Sequence, residues 1–156
     1  MFKIGQSIVY PMHGAGIIQD IITKTLADKQ LNYYQVKINT GNINLLVPVE
    51  STGVAMRCVC SSADANKVLC EFSSLQTQSD VPWNKRYKTN IERLKTGDLF
   101  EVAGVFCDLV YREKTNGLST SDRKMFVLTK NILCSELAAS LDTTVDKVLE
   151  QLLQTV

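Results

Sequence analysis

Over residues 1–57, apolar, β-branched and aromatic side chains fall in short runs of strand length: Ser7 to Tyr10, Ala15 to Ile22, Asn32 to Val36 and Ile43 to Val47. Breaks of hairpin length separate them, at Pro11 to Gly14 (PMHG), Ala27 to Gln30 (ADKQ) and Asn39 to Asn42 (NTGN). Strands so closely spaced predict a small antiparallel barrel. From Ser61 the period lengthens: Ala63, Val68, Leu69, Phe72 and Leu75 recur every three to four positions, as on one face of a helix. Gln76 to Pro82 (QTQSDVP) interrupts the pattern. Further helices are then expected at Trp83 to Leu94, Asp98 to Lys114, Thr120 to Ser140 and Thr144 to Leu153. Asn116 and Gly117 suit a helix C-terminus, and Ser119 with Asp122 three residues on resembles a capping box.

Charge sharpens this division. The 17 basic and 16 acidic side chains leave a net charge of only +1, yet Trp83 to Lys95 (WNKRYKTNIERLK) carries Lys85, Arg86, Lys88, Arg93 and Lys95 against the single acid Glu92. This is the one segment that reads as an anion-facing surface. The longest apolar stretches, Gly14 to Ile18 and Val102 to Cys107, fall far short of the roughly 18–20 residues a membrane span needs, and Met1 to Gln6 lacks the apolar run of a secretory signal. Five cysteines, at 58, 60, 70, 107 and 134, form an odd set that does not suit a secreted disulfide framework, so a reducing cytoplasm is expected.

Catalytic chemistry finds little support. His13, the only histidine, lies in the PMHG turn, where a turn or packing role is expected of it. No phosphate-cradling GxxxxGK[ST], GxGxxG or GxSxG motif occurs. The thiols of Cys58 and Cys60 would need two more ligands to hold zinc, and Cys70 and His13 are the only candidates nearby, so free thiols are expected. Trp83 leaves two readings open. It is either a core residue of an amphipathic helix with a solvated lysine face, the commoner arrangement, or a rigid apolar wedge beside phosphate-binding side chains, as in proteins that unstack a base step.

Several stretches together carry a family pattern: FKIGQSIVYPMHGAG (Phe2 to Gly16), YYQVKI (Tyr33 to Ile38), LLVPVE (Leu45 to Glu50), WNKRYKTNIERLKTGD (Trp83 to Asp98), VAGVFCDLVYREKTNGLSTSDRKM (Val102 to Met125) and ILCSELA (Ile132 to Ala138). In order and spacing they resemble the CarD/CdnL family of bacterial transcription regulators. The resemblance implies an α+β fold: an N-terminal small Tudor/SH3-like antiparallel β-barrel, residues 1–57, shared with the transcription-repair coupling factor, then a C-terminal all-helical domain, residues 61–156. It further implies that the barrel binds the β subunit of RNA polymerase, in part by presenting a strand edge. Lys24 matches a basic docking position, and Leu46, beside Val47, stands where relatives often have a basic residue, which makes that contact apolar or missing.

For the helical domain the resemblance implies contact with DNA at the upstream edge of the transcription bubble, with Trp83 wedged in the minor groove and Lys85 and Lys88 on the DNA backbone. Arg86 also matches a family position, either toward DNA or packed inside the domain, and Arg123 falls on a basic position near promoter and polymerase. Cys107 replaces an arginine usual before Asp108 and Leu109, which implies that a salt bridge inside the bundle is absent; Gln6 replaces an aspartate after Gly5, with an effect confined to a turn. The expected protein is thus not an enzyme and uses no cofactor or metal. It would be a cytoplasmic regulator, nucleoid-associated through polymerase, that binds the holoenzyme and, weakly and with little sequence choice, promoter DNA. It would stabilise the open complex as a monomer, with a domain-swapped dimer left open. A barrel that binds another protein, with the helices as mere scaffold, a thiol-dependent enzyme or sensor using Cys58, Cys60 or Cys70, and a fragment of a coupling-factor ATPase are the rival readings.

Overall fold

The computed structural model describes residues 1–50, 56–75 and 81–156. Five antiparallel strands, β1 (Ser7–Tyr10), β2 (Gly14–Leu26), β3 (Lys29–Ile38), β4 (Asn44–Pro48) and β5 (Arg57–Cys58), form one sheet in the order β4-β3-β2-β1-β5. A helical half follows: α1 (Ser62–Glu71) with a 3₁₀ turn at Phe72–Leu75, α2 (Trp83–Lys95), α3 (Leu99–Thr115), α4 (Thr120–Leu141) and α5 (Val145–Gln154). The α+β architecture is the expected one. The break at 76–80 and residues 51–55 lie outside the described residues.

The main departures concern strand length. β2 and β3 run well past their apolar cores, because Ala27 and Asp28, at φ +48° and +62°, close a two-residue turn between the paired Leu26 and Lys29. Two central residues with positive φ match the right-handed twist of the strands, so the hairpin continues into polar sequence that periodicity alone assigns to a loop. β5 is too short to leave a periodic signal. In α1 the inward stripe is Ala65, Val68 and Phe72, whereas Ala63 faces solvent. The helix starts are capped as their sequences suggest: the side chains of Ser61, Asp98, Ser119 and Thr144 accept backbone N–H bonds from the first turns of α1, α3, α4 and α5.

Two cores result. Ile8, Ile18, Tyr34, Val36, Ile38 and Val47 fill the sheet domain. The larger one joins all five helices through residues such as Phe72, Leu94, Phe106, Leu109, Leu133, Leu137 and Leu152, with Cys107 and Cys134 buried among them. Partners among the described residues also answer two local expectations. Cys107 is a buried thiol and makes no ion pair among these residues, but Asp108 beside it is paired from α2, where Arg93 reaches Asp108 at 3.4 Å and Glu101 at 2.7 Å. Gln6 does close a turn, its side chain accepting from Lys3 N at 3.0 Å, and its amide also donates to Cys58 Sγ on β5 at 3.1 Å.

Candidate functional site

Trp83 begins α2, directly after Pro82, which gives no side-chain cap. Helical spacing puts it on the stripe of Tyr87, Asn90 and Leu94, of which Asn90 and Leu94 are buried. A core tryptophan is what that stripe predicts. Instead Trp83 is 61% exposed and belongs to neither core: of the stripe only Asn90 and Leu94, in the second half of α2, are covered. Val81 and Tyr87 are exposed beside it in sequence and at helical spacing, so the end of α2 presents an apolar group with an aromatic at its centre. Large exposed aromatics are informative where a scattered leucine is not.

The cations of this segment divide by type. Arg86 is turned inward: its side chain is 12% exposed and its Nη2 donates to Asp122 of α4 at 3.2 Å. The carboxylate of Asp122 is thus spent on Arg86, while the Ser119 half of the expected capping box forms as predicted. Arg93 likewise ties α2 to α3, lying where a Cβ at Gly104 would stand. The forked guanidinium suits such buried carboxylate pairing, and the lysines Lys85 and Lys88 remain exposed on the opposite side of α2. No acid occupies the first turn of α2, so its positive helix end and the two ammonium groups add in sign. Arg123, on α4, is 64% exposed and only 3.9 Å from Glu113, a loose surface pair.

A second group lies on the sheet. The β2–β3–β4 register places Ile22, Tyr33 and Pro48 in one row across the strands, Asp20, Gln35 and Leu46 in the next, and Lys24 opposite Leu31 beyond them. Lys24 and Leu46 therefore share the outer face, whereas the Val47 side chain is buried in the sheet core and its backbone faces Tyr34 of β3. Ile22, Tyr33 and Pro48 were not legible as members of this face, because a register shift between Ile18 and Asp20 reverses the side to which the later β2 residues point. Among the described residues β4 pairs with β3 alone. Val49 N donates to Asn32 O and Ile38 N to Ile43 O, so in the alternating antiparallel ladder the backbone groups of Asn44, Leu46 and Pro48 point away from β3.

The thiols are poorly placed for chemistry. Burial, reinforced by the Glu136 charge, holds Cys60 at about 11, and burial holds Cys107 and Cys134 at about 12, so these three stay protonated and unreactive near neutrality. Cys58 and Cys70 are exposed, and no group of three metal-ligating side chains occurs among the described residues. His13 stacks at a tilt on Tyr10, ring centres 5.5 Å apart, in the packing role expected of it. No described helix is long and apolar enough to cross a membrane.

Residues 2–60 match the CarD-like/TRCF RID domain, and residues 67–154 match the C-terminal domain of CarD. The chain belongs to the CarD family. A relative from Bacillus subtilis (strain 168), named "Putative transcription factor YdeB", is 34% identical over 138 residues, which cover 88% of this chain and 90% of that protein. Membership in the CarD family gives the chain a transcription-related role.

Proposed function

We propose that the chain docks on the β subunit of RNA polymerase through the β4 edge and the outer sheet face, and at the same time touches promoter DNA with the exposed end of α2. On this reading Trp83 inserts at the upstream edge of the open bubble, Lys85 and Lys88 lie along phosphates, and Arg123 adds a further cation. Arg86 holds α2 on α4 and acts on DNA through that placement. Lys24 and Leu46 meet polymerase by their side chains, Leu46 also by its outward backbone, and Val47, buried in the sheet core and paired to β3, acts by holding that edge in place.

The observation that carries this reading is the exposure of Trp83 at a helix end whose outward-facing charges, among the described residues, are positive. A wedge that fits melted but not closed DNA binds one state better than the other, and only such a difference can shift the equilibrium between them. Two weak contacts made together reinforce each other through effective concentration, so neither partner need be bound tightly alone. Lysines without a major-groove reading element give little choice of sequence. No step makes or breaks a covalent bond, and the protein works where polymerase and the nucleoid are.

The test of the recruiting half is binding of the full chain to purified β subunit and to holoenzyme. Saturable binding is expected, and Leu46→Asp should abolish it while the circular dichroism spectrum stays that of the wild type. A folded wild-type chain that binds neither refutes the polymerase contact.

A further inference from the structure

The PMHG turn and Arg57 take no part in either proposed contact, yet both are built into the junction between the two halves. His13 N donates to Tyr10 O at 3.0 Å, closing a tight turn with Pro11 and Met12 at its centre. Met12 sits at φ +68°, where glycine is the favoured residue, and its side chain packs against the helical core. Gly14, at φ +90°, lies so near α4 that a Cβ would stand 2.7 Å from Ser135 Oγ and 3.1 Å from Ile132 Cα. Ser135 Oγ in turn accepts from Ala15 N at 3.0 Å. A glycine and a strained methionine are thus both explained by contact with the other domain.

Arg57, on β5, completes the junction. Its guanidinium meets Glu136 of α4 with two bonds, 2.5 and 2.9 Å, and donates to Gly97 O twice, at 2.9 and 2.6 Å. Glu136 has only 3% of its side chain exposed and also accepts from Cys60 N at 2.9 Å, while Ser140 Oγ donates to Cys60 O at 2.7 Å. Gly97 lies two residues beyond α2, with Pro11 packed so near that a Cβ on it would be 3.1 Å from the proline ring. Arg57 therefore grips the far end of the helix whose near end carries Trp83.

We infer that Arg57 is a positioning residue: with Glu136, Gly97 and the Tyr10–Gly14 turn it sets where Trp83 stands relative to the polymerase-docking face. The 13 residues of α2 make a lever of about 18 Å from Lys95 to Trp83. A pivot of about 10° at the Gly97 end then moves the indole by roughly 3 Å, close to the ~3.4 Å spacing of successive bases. A wedge needs that accuracy, and the junction supplies it from the sheet edge opposite β4, away from the docking strand. This inference rests on the wedge reading of Trp83.

The experiment compares wild type, Arg57→Ala, Trp83→Ala and the double variant, all as full chains with holoenzyme on a promoter. Arg57→Ala is expected to leave polymerase affinity within about twofold of wild type and to shorten the open-complex lifetime. The double variant should be no shorter-lived than Trp83→Ala alone, since residues acting as one unit are not additive. Residual dipolar couplings on the free chain should fit one alignment tensor for both domains in the wild type and two in Arg57→Ala. Should Arg57→Ala fail to fold, Gly14→Ala and Glu136→Gln press on the same junction from its other members and carry the same expectations. A single tensor in a junction variant, or a wild-type lifetime for it where Trp83→Ala is short-lived, overturns the positioning role alone. A wild-type lifetime for Trp83→Ala overturns the wedge reading and this inference with it.

Discussion

Replacing Trp83 by alanine is the perturbation whose size follows most directly from the structure. With 61% of a side chain that presents up to ~250 Å² uncovered, roughly 150 Å² of mostly apolar surface is available to an opened base step. At about 25 cal/mol per Å², covering it is worth at most ~4 kcal/mol. Unstacking the step takes back a few kcal/mol, which leaves a net preference for melted DNA of about 1–2 kcal/mol. Trp83→Ala should therefore shorten the open-complex lifetime about 5- to 30-fold. The assay is a competitor challenge on preformed open complexes, with polymerase affinity measured alongside. Because Trp83 lies outside both cores, the variant should remain folded. An unchanged lifetime refutes the argument, and so does a shortening wholly accounted for by weaker polymerase binding.

Further expectations separate the roles of neighbouring cations and thiols. Lys85→Ala and Lys88→Ala should weaken DNA contact and flatten its salt dependence without altering the thermal midpoint, and an unchanged salt slope would count against phosphate contact. Arg86→Ala should instead lower stability, by about 1–3 kcal/mol, because it strands the nearly buried Asp122 carboxylate; an unaltered denaturant midpoint would contradict this. Cys60, Cys107 and Cys134 have folded pKa values of about 11 to 12 against an ordinary 9.0, so above about pH 9 the unfolded chain loses these protons first. Their contribution to stability is complete below that pH and is lost as pH rises through 11 to 12, which denaturant titrations from pH 8 upward would follow. At pH 8 only Cys58 and Cys70 should react promptly with a thiol reagent; rapid modification of Cys107 or Cys134 in the folded chain would overturn their placement.

The sequence made the helical half legible because its signals are local: the Ser119 cap, the helix starts at Asp98 and Thr144, and the Val68–Phe72 recurrence all follow from short-range spacing. The β2–β3 extension was not legible, since it depends on Ala27 accepting a positive φ that its residue type disfavours. In α2 the sequence supplied the residues but not their directions. Arginine and lysine look alike in a count of charge, and only the partners Asp122, Glu101 and Asp108, brought in from other helices, divide Arg86 and Arg93 from Lys85 and Lys88. Periodicity left the exposure of Trp83 open and only the resemblance implied it, as periodicity reports the side of a helix a residue occupies and not how much of that side is covered.

The side of β4 that faces away from β3 also dictates how a visiting strand can align. Asn44 and Leu46 each turn an amide donor and a carbonyl outward, whereas Pro48 turns out a carbonyl alone. A guest strand that stays on Asn44 and Leu46 finds a partner for every group it turns to the edge. Sliding by one two-residue step toward Val49 sets one of its carbonyls against a proline that has no hydrogen to give. The edge therefore acts as a ratchet stop, making one alignment better bonded than the next and limiting how long a ribbon two copies of this chain could build on each other.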